Sequence, residues 1–282
     1  MDIKLIAFDL DGTAITDHKF LSEGNRRALW EAAGRGVHLL PASGRMRDFL
    51  PQAVTELPGV RYAVTANGAA VYDLQTGEAV YSRCIPNEKA RQVQRILADY
   101  DFYIEYYQNG SAITQMGYPE MARTHFAFPP SKWHFVDAKR YRLVESFDRL
   151  MEEGVAPEKI NLPFLSPEAR AEIWQRLDDL GGLRVTSSIP DNLEINAGDA
   201  DKGSAVLAVA ARLGLARENV LALGDNGNDV TMLQAAGVSV AMGDGSQEAI
   251  AAAGYVTTAP HHQDGVAEAI NRFVLSSGAE GE

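Results

Sequence analysis

One cysteine, Cys84, is all that the 282 residues contain, so the chain cannot close an internal disulfide. Disulfides belong to oxidising compartments, and a reducing, cytoplasmic setting is the expectation. Long apolar runs are also missing. No stretch approaches the roughly 20 residues that a membrane-spanning helix needs. The first residues show no basic segment leading into an apolar one, so no secretory signal is expected. Positive charge is scarce: 26 Lys and Arg stand against 38 Asp and Glu, a net charge of −12. Nucleic acids and anionic membranes bind clustered Lys and Arg, and neither is expected as a partner. No internal repeat or low-complexity segment occurs, and the polar tail "SSGAEGE" is expected to fray.

What is present is hydrophobic mass in a regular order. Hydrophobic residues make up 46% of the chain, enough for a large core, and the length fits about two domains. Short apolar runs alternate with helical patterns. "KLIAFD" leads to a helix over "SEGNRRALWEAAGRG", with Ser22 as N-cap, Ala28, Leu29, Ala32 and Ala33 as its apolar stripe, and Gly36 as its stop. "VHLLPAS" follows, then a helix expected across "RDFLPQAVTEL", then "YAVTAN". Near the C-terminus "DKGSAVLAVAARLG", "VLALGD", "DVTMLQAAG", "VSVAMG", "SQEAIAAAG", "YVTT" and "GVAEAINRFVL" resume the alternation. Continuous apolar strands between helices imply an α/β fold, a doubly wound, Rossmann-like parallel sheet covered on both faces. From about residue 84 to 190 the character changes. Most aromatic residues lie there, and strands such as "NGSAITQM" and "LRVTSS" alternate polar and apolar. This reads as an α+β module with a half-exposed sheet, inserted into a core formed by residues 1–83 and 191–282. Linkers are expected near Arg83 and Pro190.

The core strands end in polar residues. "LIAFD" ends in Asp9, "HLLPAS" in Ser43, "AVTAN" in Asn67 and "LALGD" in Asp225. The carboxyl ends of parallel strands share one edge, and ligands bind in the crevice there. A lone Asp-Gly such as Asp11-Gly12 is most often a turn, but four polar residues at four strand ends outweigh that reading. Asp9, Asp225 and Asp229 would concentrate negative charge. Two carboxylates about 4 Å apart repel by about 4 kcal/mol at an effective dielectric near 20, so a proton or a cation must relieve them. An all-oxygen cluster prefers a hard divalent ion, and Mg²⁺ suits a site shared with a phosphate. Lys202 offers a point charge and Ser43 a hydroxyl for phosphate oxygens. Gly12, Gly44 and Gly224 allow the backbone to approach a ligand.

"DLDGT" at 9–13, "SGR" at 43–45, Lys202 in "DKG" and "GDNGND" at 224–229 resemble the four ordered motifs of the haloacid dehalogenase superfamily of phosphohydrolases. The large insert, together with "TANGA", "AMGDGSQEAIAAAGYVTT" and "DGVAEAI", resembles the Cof-type subfamily, whose α/β cap closes over the active site. Ser43 stands where that family more often has Thr, and it keeps the hydroxyl. The resemblance implies an Mg²⁺-dependent phosphatase acting on small phosphorylated metabolites such as sugar phosphates. It makes Asp9 the nucleophile that forms an aspartyl-phosphate, and Asp11 the general acid and then the base. If the chain stays extended, the two carboxyls project to the same side. The resemblance also implies an ion held by Asp9, the backbone carbonyl of Asp11, Asp225 and Asp229. Ser43, Gly44, Lys202 and Asn228 would hold the phosphoryl group.

A phosphomutase, which returns the phosphoryl group to the same skeleton, and a non-catalytic phosphometabolite-binding protein are the alternatives. The intact Asp9 and Asp11 pair counts against the second. The oligomeric state, monomer or homodimer, is left open, and the acids Asp199 and Asp201 receive no role. Arg45 and Arg47 fit either a site role or a solvated surface. The pair His261-His262 reads as a solvated loop, because adjacent histidines point in different directions.

Overall fold

A computed structural model describes residues 2–189 and 191–276. Pro190 and nearly all of the C-terminal tail lie outside the described residues. The chain divides into two units, one built from Met1–Arg45, Leu50–Tyr81 and Asp201–Glu282, the other from Met46–Phe49 and Ser82–Ala200.

The first unit holds a five-stranded sheet in the order Tyr255–Val256, Val238–Ala241, Val220–Gly224, Leu5–Phe8, His38–Pro41, with every neighbouring pair parallel. The central strands are buried along their whole length, as strands covered on both faces must be. Their side chains alternate between two cores. Ile6, Phe8, Leu221 and Leu223 pack with Ala28, Leu29 and Ala32 of helix Glu23–Gly34 and with Val266 and Ile270 of helix Gly265–Ile270. Leu5, Ala7, Val220 and Ala222 pack with Ala205, Val206 and Val209 of helix Lys202–Arg212 and with Met232 and Leu233 of helix Val230–Ala235. The sheet is therefore doubly wound. Ser22 caps the first helix by accepting a hydrogen bond from the Asn25 amide, and Gly36 follows it at φ +82°, where a side chain would be strained.

Two local expectations fail. The helix expected across "RDFLPQAVTEL" breaks into a single turn at Arg47–Phe49 and a short helix at Gln52–Thr55, with Pro51 between them. Proline bars its predecessor from the helical region and lacks the amide a continuous helix needs. The strand Tyr62–Thr65 runs antiparallel with Ala70–Asp73 in a separate three-stranded sheet, and touches the parallel sheet through the parallel bridges Leu39–Val60 and Ala42–Val64.

The second unit is a six-stranded mixed sheet with helices Asn87–Leu97 and Pro167–Leu180. Its boundary differs from the sequence expectation. Leu193–Ala197 pairs antiparallel with Lys159–Leu162 and with Leu183–Thr186, so residues 191–200 belong to this unit rather than to the core. "LEINA" is an apolar strand like those of the core, and pairing partners are not written in composition. The sheet is also less exposed than its alternation implied. Lys159–Leu162 and Leu193–Ala197 are buried at every position, polar residues included, because the charges are paired. Lys159 binds Glu194 at 2.9 Å. Glu105 receives Lys139, Tyr141 and Asn161 at 2.6–2.8 Å. Burial alone would raise the Glu105 carboxyl, but these three donors hold it below its ordinary value.

Candidate active site

Strand register brings the polar strand ends together. The Asp9 amide donates to Leu223 O at 2.9 Å and the Ala42 amide to Phe8 O at 2.8 Å, so Asp9 lies between the ends of its two neighbours. The Asn67 amide donates to Ser43 O at 3.1 Å, and Asn228 Nδ2 donates to Asn67 Oδ1 at 3.2 Å. Asn67 sits at φ +59°, a left-handed conformation that Asn tolerates better than most residues.

Lys202 is the hub. It is fully buried, and its Nζ donates to Asp9 Oδ1 and to Asp229 Oδ1, both at 2.6 Å. Lys202 is the first residue of its helix, after the N-cap Asp201, an end where the helix dipole disfavours a cation. Burial also opposes its charge, yet Asp229 and Asp9 hold the ammonium above its ordinary pKa. Asp229 is equally committed. Its second oxygen accepts the amides of Asp225 at 3.0 Å and Asn226 at 3.1 Å, which fixes the turn carrying Asp225. Thr13 donates to Asp225 Oδ1 at 2.6 Å. Gly12 stands at φ +86°, and a Cβ there would come within 2.5 Å of Asp225 Oδ2, so this glycine is required twice over.

Carboxylate oxygens of Asp9, Asp225 and Asp229 all lie within 4.8 Å of one another. The three carboxylates and one ammonium leave two negative charges, which one divalent cation neutralises. The crowding of these buried acids shows in their protons. Burial pushes the Asp225 carboxyl up to about 6, and Asp229 adds to the rise. Asp9 is raised by burial too, against the pull of Lys202. An all-oxygen, doubly negative pocket fits a hard divalent ion.

Asp11 is placed apart from this cluster. Arg45 grips its carboxylate with Nε at 2.7 Å and Nη2 at 2.6 Å, and His18 Nδ1 lies 2.8 Å from the same group. Burial acts to raise this carboxyl, but His18 and Arg45 together hold it well below the carboxylate range. The side chains of Asp9 and Asp11 are thus held by different partners, and the Asp11 side chain is not in the metal-competent set. Ser43 is buried, and its Oγ accepts the Arg45 amide at 3.2 Å. Gly44 lies half-buried between them. The sequence assigns no role to Thr13 or His18 and leaves Arg45 between a site role and a solvated surface; the structure gives all three a place here. Thr13 stands two residues after Asp11, in the same short "DLDGT" run, which is a usable signal, whereas nothing in sequence links His18 to Asp11. Asp201 caps the Lys202 helix by accepting the Ser204 amide at 2.8 Å, and Asp199 pairs with Arg83 at 3.2 Å.

With this fold and this edge of buried acids, residues 6–270 match the haloacid dehalogenase-like hydrolase family, and the chain belongs to it. It is a hydrolase of phosphoric monoesters. Its Cof-type character agrees with its relatives. It is 30% identical over 280 residues to the 5-amino-6-(5-phospho-D-ribitylamino)uracil phosphatase YcsE of Bacillus subtilis, covering 98% of this chain and 97% of that one. It is 26% identical over 282 residues to the pyridoxal phosphate phosphatase YbhA of Escherichia coli, covering 98% and 100%. A haloacid dehalogenase-like hydrolase from Bacteroides thetaiotaomicron superposes with a TM-score of 0.79 at 28% identity, over 96% of this chain and 99% of that one.

Proposed function

We propose that this protein is an Mg²⁺-dependent phosphatase of small phosphorylated metabolites, sugar phosphates or related compounds, that works through an aspartyl-phosphate. The observation that carries the reading is the charge balance at the strand ends: three converging carboxylates against one buried lysine, an excess of negative charge that a divalent cation would offset. Asp9 and Asp225 would hold the ion, with Asp229 beside it. When bound, the ion supplies charge neutralisation of the phosphoryl oxygens and keeps Asp9 ionised. A carboxylate of Asp9 attacks phosphorus, and the bond to the leaving oxygen breaks. The proton for that oxygen comes from Asp11, whose carboxyl must first leave Arg45 to carry one. Water then attacks the phosphoryl group, Asp11 takes its proton, and phosphate departs with Asp9 restored. Lys202, Ser43, Gly44 and Asn228 hold the phosphoryl oxygens. Positioning and charge stabilisation supply most of the acceleration for such a transfer.

The test is phosphate release from a panel of phosphorylated metabolites. Activity should disappear with EDTA, return with Mg²⁺ and need no bisphosphate activator. Full turnover in a metal-free preparation would overturn the reading, and a strict bisphosphate requirement would mark a mutase.

A further inference from the structure

A second group of ligand-type side chains lies outside the site just described. Asp244 sits in the Gly-Asp-Gly turn after strand Val238–Ala241, and His261 opens the three-residue turn His261–Gln263. The two segments are fastened together. The Gly243 amide donates to Thr257 Oγ1 at 2.9 Å, and that hydroxyl donates to Ala259 O at 2.6 Å. Asp244 Oδ1 accepts the His261 amide at 2.9 Å, which turns Oδ2 toward the imidazoles. His261 Nδ1 lies 2.6 Å from Oδ2, and His262 Nδ1 lies 3.9 Å from the same atom.

A close ion pair accounts for His261, whereas His262 has only a long approach to Asp244 and a 3.4 Å contact between its Nε2 and Gln263 Nε2. At 3.9 Å its Nδ1 makes no hydrogen bond to Asp244, yet the ring does not splay away as adjacent residues of an extended loop would. The tight turn stacks the two rings edge to face, with centroids 5.1 Å apart. Donor atoms of all three residues fall within 4.8 Å of one another. Ligands bound about 2.1 Å from a zinc-type ion lie about 3–4 Å from each other, so opening the Asp244–His261 contact by a few tenths of an ångström completes the arrangement. The side chains are 28–52% exposed, which leaves room for water at the remaining positions. Two imidazoles and one carboxylate suit borderline ions, not Mg²⁺.

We propose that Asp244, His261 and His262 form a binding site for a borderline divalent transition ion of the Zn²⁺, Co²⁺ or Ni²⁺ class, separate from the carboxylate cluster at the strand ends. The site lies on the loop that secures Asp225, since the Ser246 amide donates to Asp225 O at 2.7 Å.

Co²⁺ is the probe, titrated into the full chain with Mg²⁺ kept saturating so that the strand-end carboxylates are filled. Calorimetry should find one Co²⁺ per chain, with visible bands of nitrogen ligation. His262→Ala, at a half-exposed position, should lose at least about tenfold in Co²⁺ affinity, with circular dichroism confirming an intact fold. His262→Gln replaces it if the alanine variant misfolds. No Co²⁺ uptake by the wild type above saturating Mg²⁺, or equal affinity in the wild type and the folded His262 variant, overturns the proposal.

Discussion

Asp225 and Asp9 are carboxylates that pay for burial in raised pKa values, and the sign of that shift makes a prediction. The native Asp225 carboxyl titrates near 6, whereas an unfolded Asp titrates near 3.9. Between these values the native state binds more protons than the unfolded state, so stability falls as pH rises through 6. Carboxyls held low, such as Asp11 and Asp244, are ionised in both states above pH 5 and contribute no slope there. In metal-free protein at pH 7.5, Asp225→Asn should therefore melt higher than wild type, and the gap should narrow toward pH 5. A gap independent of pH would mean that Asp225 carries no such burden. Asp11 poses the opposite case. Arg45 and His18 stabilise its anion, so it is stored as a base and must be released to act as an acid. General acid catalysis contributes about 10²–10⁴-fold. Asp11→Asn should lose that much on alkyl phosphates and far less on an activated aryl phosphate, while Asp9→Asn abolishes turnover of both. Equal losses of Asp11→Asn on the two substrate types would remove Asp11 from the leaving-group step.

The helix Lys202–Arg212 shows how an element prepares a residue. Its lysine sits at the end where the dipole opposes it, and the N-cap Asp201 holds that end together through the Ser204 amide and hydroxyl, each at 2.8 Å. Removing such a cap costs about 1 kcal/mol. Asp201→Ala should lower the melting temperature by a few degrees and reduce kcat, because the first turn that aims Lys202 loosens. Unchanged stability and kcat would show that Asp229 and Asp9 alone fix the lysine. Helices of this kind were legible because cap, stripe and stop agree in sequence, as Ser22, Ala28, Leu29 and Gly36 do for Glu23–Gly34. The helix expected across "RDFLPQAVTEL" needed Pro51 to be tolerated in its first turns, but proline is tolerated only at the very start of a helix, and one begun at Arg47 breaks there. The turn at His261–Gln263 was read as solvated loop, since sequence alone does not reveal that a left-handed Asp264, at φ +65°, closes it.

At the scale of the whole molecule, the parallel core was readable because its strands are continuous apolar runs that end in polar residues. Asp9, Ser43 and Asp225 gather as parallel strand ends must, and Asn67 joins them from the separate three-stranded sheet through its amide bond to Ser43 O. The clamp on Asp11 was not readable, because His18 and Arg45 reach it through tertiary geometry alone. The boundary of the inserted unit was misplaced by about ten residues for a similar reason: Leu193–Ala197 is apolar in either sheet, and only pairing decides. That boundary shapes the last prediction. All five strands of the parallel sheet lie outside residues 82–200, and both of its cores are filled by helices that also lie outside them. Replacing residues 82–200 with a short linker should leave a core that folds and binds Mg²⁺. A cut at 190 would instead leave Leu193–Ala197 with neither of its partner strands, an unpaired apolar edge that invites aggregation. If recognition of the organic part of the substrate resides in the inserted unit, the excised core should hydrolyse a small aryl phosphate slowly and lose its discrimination among metabolites. A folded core that keeps the full-length ranking of substrates would place specificity in the core itself.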